Sequence, residues 1–224
     1  MLYLQEILDV QPGMVDEYQQ ASADHLIAGW NRYVRTVGFF KSACRHREGM
    51  AFWELGEDGS SIDGLGGFIL VDREGKAWQR LALKYRQDWH DTWLESVPFS
   101  PTVDQIIERQ KQGDFTGNRL YYWDVTKVLP GKMGAFLKAM ETDLVPMEEK
   151  RGMKLAGCYR WFGACGRSSE VTSLWSVKSW AHWGQLREAR LRDPAFGQWA
   201  EKAAAWRTEW SYKFWVPSDW SLLQ

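Results

Sequence analysis

LYLQEILDVQPGMVDEYQQA, residues 2–21, returns as LYYWDVTKVLPGKMGAFLKA, residues 120–139. At one constant offset Leu2, Tyr3, Val10, Pro12, Gly13 and Ala21 match Leu120, Tyr121, Val128, Pro130, Gly131 and Ala139. A period this long marks a duplicated domain, not the stacked units of a solenoid. In each copy a largely apolar run ends at Pro-Gly, where proline withholds a ladder donor and glycine lets the chain turn. That predicts strands over Leu2–Val10 and Leu120–Val128, each leading into a helix. The second helix carries Met133, Phe136, Leu137, Met140 and Leu144 on one stripe, and the first carries Val15, Tyr18, Ser22 and Leu26. Pro146 is expected to kink or end the second helix.

Further along, GFFKSACRHR from Gly38 aligns with GMKLAGCYRW from Gly152 as a second strand. This sets Cys44 against Cys158, Arg45 against Tyr159 and His46 against Arg160, with the first helix one turn longer than its copy. A third strand is read at Phe68–Val71, against Val171–Val177, and a helix over Lys76–Trp89. The second half shows two shorter helices, Ala181–Leu191 and Ala195–Trp206. Closing strands are read at Leu94–Phe99 and Tyr212–Val216. Glu54–Gly67, rich in Gly, Ser and Asp, reads as a lid or rim loop that the second half lacks. Each half then follows the ferredoxin-like order β-α-β-β-α-β. The fold class is α+β, with one repeat over residues 1–99, a linker over 100–118 holding a short helix at Val103–Gln110, and a second repeat over 119–224.

The 224 residues fit one large domain or two intimate small ones. A net charge of -1 with no basic run argues against nucleic acid as a partner. No apolar run reaches the length needed to span a bilayer. Glu6 and Asp9 near the start are unlike a secretory leader, and three sparse cysteines fit reduced thiols, so a cytoplasmic protein is expected. Fifteen tryptophans stand out, ten of them between Trp123 and Trp220. They read as packing, as the walls of a pocket for a flat apolar ligand, or as both.

The pattern LYxxxxxxxxPG, an amphipathic helix, then GMKLAGCYRW and VTSLWSVKSWAHW, resembles the NIPSNAP family of the dimeric α/β-barrel superfamily. The resemblance covers nearly all of the second half and is fainter over the first. It implies two ferredoxin-like units facing sheet to sheet, here joined in one chain. It is specific for fold and poor for function. Branches of that superfamily include heme-degrading oxygenases, cofactor-free quinone-forming monooxygenases, muconolactone-type isomerases, dye-decolourising peroxidases and plain binding proteins. They share no catalytic residue set, so none is carried over.

Candidate site residues come from the repeat itself. Glu6 and Asp124 share one repeat position, in phase with apolar strand residues, and burial there would raise each carboxyl toward a proton-transfer range. The plainer reading pairs them with Arg45 or Arg160, or leaves them at a rim. His25 is a candidate acid or base, or else decorates an exposed helix edge. Arg45 and His46 would point opposite ways on a strand, so an inward cation there or at Arg160 could hold an oxyanion. Its plain alternative is a rim ion pair. Tyr3, Tyr121, Tyr122, Trp123, Tyr159 and Trp161 would line a cavity between the halves. No HExxH, HxH or CxxC is present, and a metal site is not expected. The expected function is a cofactor-independent lyase or isomerase moving protons on a small aromatic or apolar substrate. A cofactor-free monooxygenase, a heme protein using His25, His46 or His182, and a non-catalytic binding protein are the alternatives. Whether two chains pair as a homodimer is left open.

Overall fold

The computed structural model describes residues 1–57, 60–115, 117, 120–162 and 169–223, so Cys165 lies outside the described residues. The elements run β1 (Leu2–Val10), α1 (Val15–His25), α2 (Ile27–Trp30), β2 (Arg35–Ser42), β3 (Glu48–Gly56), α3 (Ser60–Leu70), α4 (Arg73–Ala82), β4 (Arg86–Ser96) and α5 (Val103–Lys111). They continue with β5 (Leu120–Val128), α6 (Met133–Ala139), a π-helical turn (Met140–Leu144), α7 (Val145–Lys150), β6 (Lys154–Trp161), β7 (Glu170–Val177), α8 (Trp180–Arg192), α9 (Pro194–Trp206) and β8 (Arg207–Pro217).

Two compact units result: Met1–Glu95 together with Trp215–Gln224, and Ser96–Phe214. In the first, antiparallel strands stand in the order β4-β1-β3-β2. In the second the order is β8-β5-β7-β6, the same arrangement. The strand alternation that marks β1 sends Leu4 and Leu8 to one face, where they pack with Tyr18, Leu26, Trp30, Leu65, Phe68 and Trp78 from the helices. Burying each such large side chain stabilises by roughly 1.5–3 kcal/mol. The last ten residues, expected with the second repeat, belong to the first unit. There Ser221 Oγ accepts from the Phe39 amide at 2.8 Å, and the Ser218 amide donates to the Phe39 carbonyl at 2.7 Å.

Local chemistry repeats between the units. Gly13 and Gly131 turn the chain after the first strand at φ of 82° and 75°, a region open to glycine. Asp72 caps α4 by accepting from the Glu74 amide, and Asp193 caps α9 by accepting from the Ala195 amide. Arg32 reaches the Asp72 cap at 3.7 Å, and Arg151 pairs with the Asp193 cap. On the second strand the glycines that correspond are Gly38 and Gly157, each at a register shift and each beneath the ring of an aromatic two residues on, Phe40 and Tyr159. Gly152, aligned with Gly38 above, instead sits in the turn before β6 at φ 91°.

Three expected elements move. The third strand of the first repeat is Glu48–Gly56, not Phe68–Val71, and EGMAFWELG is the true counterpart of EVTSLWSV. A short apolar run does not distinguish a strand from a buried helix turn. Here α3 buries Leu65 and Phe68 and leaves Leu70 exposed. The helix expected to reach Trp89 stops at Ala82, and β4 begins at Arg86 instead of Leu94. Of the lid or rim loop expected over Glu54–Gly67, residues 58–59 lie outside the described residues and the rest includes the end of β3 and most of α3, which the second unit matches with α8.

Candidate active site

Glu6 sits in mid-β1, opposite Ala51 on β3 and Asp91 on β4. Its parity with Leu4 and Leu8 turns it toward the helices, and it is only 7% exposed. Trp53 Nε1 donates to its Oε2 at 2.7 Å, and Arg86 Nη2 stands 3.6 Å from its Oε1. Arg86 is fixed in turn: its Nε donates to Tyr18 Oη at 2.6 Å, and its guanidinium lies over the rings of Tyr18 and Trp89 at 5.3 and 5.4 Å. Burial pushes the Glu6 carboxyl up, against the pull of Arg86, with Asp91 adding a further push and the Trp53 bond a smaller pull downward. Burial likewise pushes the Tyr18 hydroxyl up.

Glu6, Arg86, Trp89 and Asp91 line a cavity of about 560 Å³, with Leu26, Trp30, Leu65, Ile69, Trp78 and Trp93 among its walls. All of its lining belongs to the first unit, on the helix side of the sheet. Its size suits a small organic ligand, and its walls are mostly aromatic and aliphatic.

The second unit repeats the arrangement one methylene shorter. Asp124 stands opposite Ser173 on β7, where the first unit has Ala51. Ser173 Oγ donates to Asp124 Oδ1 at 2.6 Å and accepts from Trp175 Nε1 at 2.7 Å, so a hydroxyl relays the indole bond that Glu6 receives directly. Arg207 and Trp210 begin β8 as Arg86 and Trp89 begin β4. Burial pushes the Asp124 carboxyl up to about 6, against its bonds from Ser173 and Trp210 and the charge of Arg207. Asp124 lines a smaller cavity of about 170 Å³ made wholly from the second unit.

Glu6 and Asp124 therefore serve separate cavities, each between a sheet and its own helices, and are not brought together as one acid–base pair. Tyr122 lines the Asp124 cavity. Tyr3, Tyr121 and Trp123 do not join the carboxylates, because strand alternation turns them to the other sheet face. There Tyr3 stacks on Phe52 at 5.3 Å and donates to Glu54, Tyr121 is fully buried, and Trp123 stacks on Tyr159 at 6.2 Å. His25 is exposed at the end of α1. Arg45 and His46 lie exposed in the turn between β2 and β3, not on a strand, and Arg160 is exposed near the end of β6 beside half-buried Trp161. None of these enters either cavity. Arg86, Tyr18, Trp53, Asp91, Ser173 and Arg207 were not anticipated. The recurring R-x-x-W of Arg86–Trp89 and Arg207–Trp210 was the signal that could have found two of them.

A His-ligated heme does not fit these cavities: none of His25, His46, His90 and His182 lines either one. Among the described residues no three His, Cys, Asp or Glu side chains cluster to hold a metal ion, and no helix is long and apolar enough to cross a membrane.

The NIPSNAP family model matches residues 125–222. No curated protein matches the chain. Among solved structures, an anthrone oxidase-like protein is similar at 12% identity and TM-score 0.68, covering 97% of this chain and 91% of that one. A provisionally named monooxygenase from Lactobacillus acidophilus NCFM gives 10% identity and TM-score 0.65, covering 96% and 93%. Another, from Fusobacterium nucleatum subsp. nucleatum ATCC 25586, gives 8% and 0.62, covering 96% and 91%. At these identities the likeness speaks to fold alone. The likeness to the NIPSNAP family thus covers residues 125–222, within an α+β fold of tandem ferredoxin-like repeats of the dimeric α/β-barrel type.

Proposed function

We propose that the protein is a proton-transfer enzyme for a flat, apolar, enolisable or phenolic substrate bound in the Glu6 cavity. The observation that carries this reading is Glu6 itself: a buried carboxylate with a raised pKa, backed by an indole donor, beside one guanidinium, at an aromatic-walled cavity. As a carboxylate it can take a proton from a substrate carbon or hydroxyl, and raising its pKa brings it nearer the operating pH of a general base. Arg86 then stands where the resulting enolate or phenolate oxygen needs a positive partner. Asp91, directly across the strand pair from Glu6 and also pushed up by burial, can when protonated give its own proton to another substrate atom or to a leaving group. Passage of the proton from Glu6 to Asp91 then resets both carboxyls after an isomerisation or an elimination. Among apolar walls these charges act more strongly than in water.

A second reading keeps the first step and changes the fate of the carbanion. The names of the fold neighbours, monooxygenase and anthrone oxidase-like, favour it. An activated CH2 loses its proton to Glu6, the carbanion is oxidised by O2, and the carbon-bound peroxide loses water. One O2 then converts CH2 to C=O plus H2O, with no other oxidant consumed.

The test is turnover of a panel of ring-fused phenols and anthrones, followed by product spectra with and without air. Conversion under nitrogen supports the isomerase or lyase reading, and conversion only with O2 uptake supports the second. Glu6→Gln should lower either by about 10²–10⁴-fold. Full turnover by that variant would remove the proposed base.

A further inference from the structure

We infer that the C-terminal unit holds a second, separate ligand site, on Asp124 and Glu148, for a small single-ring molecule bearing a hydroxyl or amino donor. This site does not depend on the chemistry proposed for the Glu6 cavity.

Size is the first argument. The Asp124 cavity, about 170 Å³, has room for one ring and a substituent, whereas the Glu6 cavity of about 560 Å³ takes fused rings. Trp175, Trp199, Trp210 and Phe196 supply flat walls.

Unmet hydrogen bonding is the second. Glu148 lines the cavity at 2% exposure. Its Oε1 accepts from Arg190 Nε at 2.9 Å, but its Oε2 has no hydrogen-bond partner among the described residues. Buried acceptors are nearly always paired, so one left open at a cavity marks a place for a donor from outside. Arg190 is not itself available to a ligand as a free cation. It is held by Glu148, by Met153 Sδ at 3.1 Å, and between the rings of Trp183 and Phe196 at 4.8 and 5.2 Å. With both guanidiniums and both carboxylates inside, the lining is near neutral. A neutral donor-bearing ring suits it better than an anion.

Backbone irregularity is the third. Met140 and Leu144, which also line the cavity, belong to the π-helical turn between α6 and α7. Pro146 has no amide hydrogen to complete an α-helical bond just there, and π turns concentrate at functional sites. The matching helices of the first unit, α1 and α2, have no such turn. The wider turn is therefore particular to this pocket.

The experiment is ¹⁹F NMR of 4-fluorophenol with the full chain and three variants. Because the Glu6 cavity is itself proposed to take phenols, binding is read throughout in a Gly66→Leu background, which fills that cavity alone and should still bind 4-fluorophenol. Ala200→Leu, which fills the Asp124 cavity without touching its polar groups, should abolish binding. Glu148→Gln should weaken binding about tenfold, and 4-fluorotoluene, lacking the donor, should bind the Gly66→Leu chain at least about tenfold more weakly than 4-fluorophenol does. Retained binding in Ala200→Leu, or loss in Gly66→Leu, overturns the second site and leaves the Glu6 reading intact. Equal affinity for fluorotoluene overturns the donor requirement. Ala200→Leu keeps the proposal testable if Glu148→Gln fails to fold.

Discussion

At the scale of single residues, Glu6 and Asp124 differ by one methylene, and the chain compensates on the neighbouring strand. Glu6 reaches Trp53 directly past Ala51, while the shorter Asp124 needs the Ser173 hydroxyl to meet Trp175. The two halves can therefore be exchanged. Glu6→Asp alone should destabilise by about 1–2 kcal/mol, since it strands a buried indole N–H. Ala51→Ser alone should also destabilise, by burying a hydroxyl beside an already bonded carboxylate. Together they should recover about 1 kcal/mol relative to their sum, measured as a double-mutant cycle in urea. Strict additivity would mean the relay is not what couples these positions. Asp124 also sets a pH dependence. Its folded value of about 6 lies above the ordinary 3.8, so its contribution to stability is whole below about pH 4 and is lost as pH rises through about 6. Asp124→Asn keeps the acceptor without the charge. It should leave stability near pH 4 unchanged and raise it by about 2–3 kcal/mol near pH 8, read from melts at the two pH values. An equal effect at both would show that the carboxyl is not shifted upward. Glu6, Asp124 and Tyr122 were legible in the sequence because period-two alternation is a local property of one strand. Arg86 and Arg207 were not, since finding them requires knowing which strand lies beside the first.

At the scale of elements, α3 decides access to the Glu6 cavity and was the element hardest to read. Its sequence, SSIDGLGGFIL, carries three glycines, each weakening a helix by about 1 kcal/mol relative to alanine. Composition alone therefore spoke for a loop. Burial of Leu65 and Phe68 holds it helical all the same. Tertiary packing overrode propensity, as it did where FILV looked like a strand. The glycines are not equivalent. At Gly64 a Cβ would meet the Tyr33 ring at 2.3 Å, whereas at Gly66 it would meet nothing within 4 Å, and Gly66 lines the cavity. Gly66→Leu should thus strengthen the helix, raising stability by about 0.5–1 kcal/mol, while occluding the cavity and lowering turnover or ligand affinity at least about tenfold. Thermal melts and binding should move in opposite directions. A variant that is more stable and binds normally would show that ligands do not use this cavity. By contrast, the Pro-Gly strand ends and α9, opened by Asp193-Pro194, were plain in the sequence because each depends on residues adjacent in the chain.

At the scale of the whole molecule, chain order and spatial order part at Trp215, and this was the least legible feature of all. A duplication read along the chain assigns every residue after the linker to the second copy. Yet the final ten residues complete the first unit, where Trp220 packs on Phe39 at 5.5 Å and Leu223 donates to the Val37 carbonyl at 3.2 Å. The signal lies in single serines, which no periodicity marks. Ser221 is 3% exposed and is the acceptor for the Phe39 amide. Phe39 is itself fully buried in the aromatic core beside Tyr18, the residue that positions Arg86. Removing that hydroxyl leaves a buried amide without its partner, a penalty of about 1–3 kcal/mol. Ser221→Ala should therefore destabilise by that amount and raise hydrogen exchange at the Phe39 and Val37 amides, with β5 and β7 of the second unit unaffected. Ser221→Thr, which keeps the oxygen, should restore most of the protection at Phe39. If Ser221→Ala left the β2 amides protected and accelerated exchange in β7 instead, the C-terminal segment would have to be assigned to the second unit, where the duplication first placed it.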